Sequence, residues 1–292
     1  MAQDIVGPVT ASKRLSASSL VRYSVGLGLR ALRRKGARRA AAWRVWMPLD
    51  VDRVAELPWA GQAMLNTNAR RILDLSSPKL LACWLVENAN AEVVATDVWQ
   101  EEVDSWRRLV QAADRSGSRL SGLSLEVADG TALPYPSASF DAAYSVSVIE
   151  HVPGDGDAKA MAEIERVLRP GGTLALTFPF RRQLEEEYVR HDLYGQHYEG
   201  EPIFFQRHYS LEAVRERLLA GRSFEVIGQG LWQKAGVDDA RKLLRRVVPA
   251  RLELGRYLGP ILALIGARAL SPTVDVRDPG ATNVMFLLLR RT

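Results

Sequence analysis

Hydrophobic and polar positions change rhythm along this chain at Arg71. Between Ser19 and about Trp46, Leu20, Val21, Val25, Leu27, Leu29 and Leu32 recur at helical spacing among Arg22, Arg30, Arg33 and Arg34. That pattern predicts a basic helix or a pair of helices, closed by Pro48. Residues 1–18 are polar and Ser/Ala-rich and are expected to be loose. A short connector and turn is expected from Leu49 to Trp59.

From Arg71 onward, short apolar runs alternate with helix-length segments. Strands are predicted at Ile72–Leu75, Glu92–Asp97, Leu123–Val127, Phe140–Ser145 and Thr173–Phe178. Helices are predicted between them: Lys79–Glu87 with Ser77 as N-cap and Pro78 at the first helical position, Val98–Ala113, and Asp157–Leu168. The last carries an apolar stripe of Met161, Ile164, Val167 and Leu168, and Arg169–Gly172 is read as a turn. A late helix (Leu211–Ala220), a strand (Phe224–Gly228) and a final apolar strand (Asn283–Leu289) follow. Such alternation means an α/β fold, a doubly wound and mostly parallel sheet with helices on both faces. Residues 1–60 read as a basic helical extension and 61–292 as the main domain, with a helical insertion at 233–272.

Composition sharpens this in three ways. At 292 residues and 47% hydrophobic content the chain can bury a real core. The single cysteine, Cys83, excludes an internal disulfide, which makes a reducing cytoplasm the expected compartment. Cys83 lies in the apolar run Leu80–Val86, where a packed thiol is expected rather than a nucleophile. The net charge of +5 is uneven: residues 1–49 hold ten Lys or Arg against Asp4 alone, a balance of +9 that leaves the rest at −4.

Ligands of such sheets bind beyond the carboxyl ends of the strands. Three acids fall there: Asp74 in the first strand, Asp97 closing the second, and Asp129 beside Gly130 after the third. A carboxylate at the tip of a second strand can accept hydrogen bonds from both ribose hydroxyls. A single strand-end Asp is commonly only a turn former, but three in register favour a nucleoside site. The first turn, Ser76-Ser77-Pro78, has none of the glycines that usually let a backbone approach a cofactor.

The segments Asp129–Asp141, Ser147–His151 and Glu165–Gly172 resemble, in order and spacing, the class I S-adenosylmethionine-dependent methyltransferases of the small-molecule type. The resemblance covers about residues 70–180 well and 204–230 loosely. It implies a seven-stranded sheet whose last strand is antiparallel, with S-adenosylmethionine as cofactor. It implies that Asp97 holds the ribose, that Asp129 and Gly130 flank the adenine, and that Ser145 turns a carbonyl toward the methionine amino group. Asp74 would sit by the methionine end. The family's Gly-rich turn is replaced by Ser76, Ser77 and Pro78, so the serines and Lys79 would have to serve the methionine carboxylate.

The implied reaction is methyl transfer to a hydroxyl, with nitrogen or carbon as lesser candidates, of a small-molecule, glycan or lipid-linked acceptor. A hydroxyl acceptor benefits from a general base. His151, His191, His197 and His208, all the histidines present, follow the fourth strand; His151, His191 and His208 are the candidate bases, with His197 weaker. The tyrosines at 188, 194, 198 and 209 are expected to shape the acceptor pocket. A metal site of His191, Asp192 and His197 is not expected, because its spacing is loose. The basic arm and the insertion are expected to cover the core domain, with contact to an anionic membrane as the alternative. Nucleic-acid binding is not expected, since no recognisable module appears. The rival reading of the whole chain is a non-catalytic binding protein that keeps the fold without the cofactor.

Overall fold

The computed structural model describes residues 15–115, 118–193, 197–233, 271–273 and 283–292. The loose N-terminus, Tyr194 and nearly all of the insertion expected at 233–272 lie outside these residues. The strands β1 (Arg71–Leu75), β2 (Glu92–Asp97), β3 (Leu123–Val127), β4 (Phe140–Val146) and β5 (Leu168–Phe180) are parallel. The final strand β10 (Asn283–Arg291) runs antiparallel to β5 and to β8 (Phe224–Gln233). The sheet order is β3-β2-β1-β4-β5-β10-β8, the seven strands expected, and a short β9 (Ser271–Thr273) adds an eighth at the edge.

Period-two alternation divides the core into two layers. Ile72, Val93, Ala95, Ala142, Tyr144, Val146 and Ala175 face one apolar cluster, shared with helices α1 (Ala17–Ala31), α3 (Glu56–Thr67), α4 (Leu80–Asn88) and α5 (Gln100–Ala113). Leu73, Leu75, Val94, Ala143, Leu174, Leu176, Phe178, Met285 and Leu287 face the other, with α6 (Gly156–Val167) and the helical segment Leu211–Leu219. Cys83 is fully buried and burial pushes its thiol up to about 12, so it packs as expected.

Several boundaries differ from the sequence pattern. The segment read as a connector enters α3, because Pro58 falls in the first turn, where its missing N–H costs no intrahelical bond. The turn at Arg169–Gly172 lies inside β5 as an outward bulge: register jumps from Phe140↔Leu168 to Ala142↔Thr173. The late helix is one turn, Leu211–Ala213, followed by a π-helix over Val214–Leu219. A hairpin of β6 (Glu185–Val189) and β7 (Ile203–His208) was not foreseen, since three successive glutamates mask a strand.

The basic arm forms the predicted pair of helices, α1 and α2 (Arg38–Trp46). They cross closely at Gly28, where a Cβ would stand 2.6 Å from the Ala41 carbonyl oxygen. Docking on the domain is specific. Glu87 of α4 receives two hydrogen bonds from the Arg30 guanidinium, at 2.8 and 2.7 Å, and one from the Tyr23 hydroxyl at 2.6 Å. The arm therefore covers the core domain as expected, while Arg22, Arg33, Arg34, Lys35, Arg38 and Arg39 remain exposed. No described helix is long and apolar enough to cross a membrane.

Candidate donor and acceptor site

The glycine-free turn after β1 keeps the backbone shape that a glycine would supply. Ser76 adopts φ 54°, a left-handed conformation that costs a non-glycine residue about 1 kcal/mol. Ser77 is not the N-cap of the following helix; Lys79 occupies that position. The Ser77 groups are engaged across the sheet instead. Its amide donates to Asp74 Oδ1 at 2.9 Å, and its hydroxyl accepts from the Val146 amide at 2.9 Å. Ser145, fully buried, donates its hydroxyl to the Leu75 carbonyl at 3.3 Å, and β4 continues past it to Val146.

Asp74 therefore organises the turn from below. It is 0% exposed, and burial pushes its carboxyl up to about 6 despite the Lys79 charge and the Ser77 hydrogen bonds. The sequence suggested a place beside the methionine end of a cofactor; in the structure the carboxylate lies inside β1, beneath the turn, with the Ser77 amide as its partner.

Asp97 does reach the edge. One oxygen accepts from the Trp99 amide at 3.1 Å, and the other lies 3.4 Å from the Lys79 ammonium. Immediately beside it, Val98 and Trp99 are exposed by 51% and 43%, an apolar surface at a polar strand tip. Asp129 is exposed, and its Oδ1 accepts from both the amide and the hydroxyl of Thr131 at 2.8 Å. Its neighbour Gly130 packs closely on β1: a Cβ there would stand 3.1 Å from Leu75 Cδ1, so that side chain would have to shift by a few tenths of an ångström. Asp97, Asp129, the left-handed Ser76 and the exposed Val98–Trp99 pair thus come together along adjoining strand ends. This set fits an adenosyl group, with hydrogen-bond acceptors for hydroxyls and apolar surface for a base.

The opposite side of the edge is built by α3, the turn after β4, and the β6–β7 hairpin. Ser147, at φ 50°, ends β4 and donates to the buried Glu56 at 2.9 Å; Arg53 pairs with the same Glu56. The following turn carries Glu150, also buried, and His151. His151 Nδ1 lies 2.8 Å from the Phe205 carbonyl oxygen, and the two rings are 5.1 Å apart, which joins the hairpin to the end of β4. A carbonyl can only accept, so Nδ1 carries the proton and Nε2 faces Glu150 at 3.8 Å.

His208 lies in the same hairpin, only 5% exposed, with Nε2 3.2 Å from Glu187 Oε2. Gln206 steadies that carboxylate by donating to it at 2.6 Å. Glu187 accepts the Nε2 proton, leaving Nδ1 as a buried lone pair with no hydrogen-bond partner among the described residues. Burial lowers the pKa of both His151 and His208 below 6.5, so both imidazoles are neutral near pH 7. His191 is separate from this pair, exposed in the connection between β6 and β7, and His197 pairs with Asp192 there at 3.0 Å. Among the described residues no cluster of His, Cys, Asp and Glu could hold a metal ion.

Sequence reasoning did not find Lys79 as a partner of Asp97, nor Glu56, Arg53 and Glu187. Hydropathy reads each as a surface charge, and nothing in the spacing signals a partner remote in the chain.

Residues 73–176 match the family model of a methyltransferase domain. This region is a class I S-adenosylmethionine-dependent methyltransferase domain. Over 138 residues the chain is 32% identical to Methyltransferase GfsG of Streptomyces halstedii, covering 44% of this chain and 46% of that protein. Over 117 residues it is 26% identical to O-methyltransferase rstn1 of Aspergillus nomiae, covering 40% and 49%. A solved structure of a proposed sarcosine dimethylglycine methyltransferase from Galdieria sulphuraria superposes with a TM-score of 0.53 over 94% of this chain and 98% of that one. At 16% identity that likeness speaks to the fold alone. The matches span about half or less of the length of these curated relatives.

Proposed function

We propose that the protein transfers a methyl group from S-adenosylmethionine to a hydroxyl of a small-molecule acceptor, with His208 as general base. The observation that carries this reading is the His208–Glu187 pair, whose Nδ1 is left without a hydrogen-bond partner among the described residues. The matched relatives named O-methyltransferases support a hydroxyl acceptor.

Bound S-adenosylmethionine supplies an electrophilic methyl group on its sulfonium. The protein then has to align and to handle a proton. Asp97 accepts from the ribose hydroxyls, while Val98 and Trp99 cover the base. His208 takes the acceptor's hydroxyl proton at Nδ1, and Glu187 stabilises the resulting imidazolium through Nε2–H. His151 is held by Phe205 and braces the hairpin.

Replacing His208 with Gln is expected to lower kcat by about 10²–10⁴-fold while leaving donor affinity unchanged. The native pH profile should rise through a pKa below 6.5, because burial favours the neutral imidazole, and stay flat to higher pH. A fall in kcat under about threefold would remove His208 from this role.

The arm supports a further assignment, contact with an anionic bilayer that presents an amphiphilic acceptor. Arg39, Trp43 and Trp46 share the face of α2 opposite the buried Ala37 and Ala41, and Trp43, Trp46 and Leu29 are exposed by 40%, 51% and 54%. Residues 15–49 contain no acid, so exposed apolar and cationic groups lie side by side, the combination an anionic interface attracts. In flotation assays the protein should bind vesicles containing phosphatidylserine but not pure phosphatidylcholine. Paired reversal of Arg34→Glu and Lys35→Glu should weaken binding at least about tenfold. Equal flotation on both vesicle types retires the assignment.

A further inference from the structure

Lys79 stands where a lysine is disfavoured twice. It is 1% exposed, and it caps the N-terminus of α4, whose dipole repels cations. Its ammonium is held by the Ser77 carbonyl at 2.6 Å and by Asp97 Oδ2 at 3.4 Å, and the charge of Asp74 acts on it from beneath. These contacts engage two of its three N–H bonds, and no described residue accepts the third. The sequence suggested that Lys79 would meet the carboxylate of a methionine tail. The structure instead turns it along the tips of β1 and β2 onto the acid expected to hold a ribose.

A vicinal diol presents two O–H donors and also oxygen lone pairs. A carboxylate alone can only accept; an ammonium beside it can donate to the same hydroxyl group. The glycine-free turn, with Pro78 in place of a flexible residue, has fewer backbone amides to bring against a ligand. A buried cation supplies donors that such a turn lacks.

We propose that Lys79 and Asp97 act as a paired reader of the donor's ribose, Asp97 accepting from its hydroxyls and Lys79 donating to a hydroxyl oxygen. This inference rests on the reading of the site as an S-adenosylmethionine site. Lys79 is then a specificity residue of the donor pocket, acting on the ribose beside Asp97.

The test is calorimetric titration of the full chain with S-adenosylhomocysteine and with its 2′-deoxy and 3′-deoxy analogues. Lys79→Met keeps the aliphatic stem and removes the charge. It should weaken binding of the intact ligand about tenfold or more, the worth of a hydrogen bond to a charged group. Against the analogue lacking the hydroxyl that Lys79 contacts, the same substitution should cost less than about threefold. Should Lys79→Met not fold, judged by its thermal transition, Asp97→Asn must show the same dependence on the missing hydroxyl. Equal losses for all three ligands would make Lys79 merely structural and overturn the proposal. Unchanged or tighter binding by Lys79→Met would make it a plug and overturn it equally. A native protein that binds none of the ligands at millimolar concentration sinks the donor reading itself, and this inference with it.

Discussion

Asp97→Ala should abolish high-affinity donor binding, with at least about a tenfold loss against S-adenosylhomocysteine. The effect has two sources. The ribose hydroxyls lose a charged acceptor, and the Lys79 ammonium, 1% exposed, loses its only described carboxylate contact within 3.5 Å. A buried charge deprived of its partner destabilises by about 3–5 kcal/mol, so the melting temperature should fall as well. Lys79 retains the Ser77 carbonyl and the field of Asp74, which places the expected loss at the lower end. Titration of a variant shown to be folded checks the binding part. Native affinity in that variant would remove Asp97, and with it the strand-tip site, from the account.

Asp157→Ala should produce the largest loss of stability. Asp157 is 0% exposed and receives hydrogen bonds from Tyr209 at 2.8 Å and from Arg217 at 2.9 and 2.8 Å, with Arg207 3.4 Å away. Arg207 is itself 1% exposed, and it also donates to the carbonyls of Val152 and Gly154 at 2.7 and 2.8 Å. Removing the acid leaves two guanidiniums without their central anion, a cost of about 3–5 kcal/mol in urea unfolding. Because Arg207 lies in β7, the hairpin that positions His208 and Glu187 should loosen too. The neighbouring Asp155, paired with Lys159 on the surface, serves as a control; its alanine variant should leave the urea midpoint almost unchanged, because solvent screens an exposed pair. A loss of comparable size at both positions would show that the buried network does not pin the hairpin.

The layered fold was legible because apolar periodicity is a local property. Ile72–Leu75 and Glu92–Asp97 announce buried parallel strands by their own composition, Leu123–Val127 announces a half-buried edge strand by its alternation, and the spacing from Asp129 to Gly172 carries the family resemblance. Segments whose structure depends on remote partners were illegible. The strand Glu185–Val189 is stabilised by pairing with Ile203–His208 and by the grip of Arg207 on Glu186 at 3.0 Å, neither of which an acidic run predicts. The π-helical turn at Val214–Leu219 gave no warning either: Leu211, Val214 and Leu218 recur at the spacing of an ordinary α-helix.

By itself, then, the sequence determined the order of strands and helices, the domain's family, and the strand ends at which Asp97 and Asp129 stand. It could do so because burial of apolar side chains is written at every second or every third to fourth position. Only the tertiary structure decided how the charged residues are used. It sealed Asp74 beneath the turn, drew Lys79 onto Asp97, and joined His208 to Glu187 while leaving His191 outside. A charge is buried only when the folded chain brings it a counter-charge or hydrogen-bond partner, and those partners lie two to ninety-one residues away along the chain.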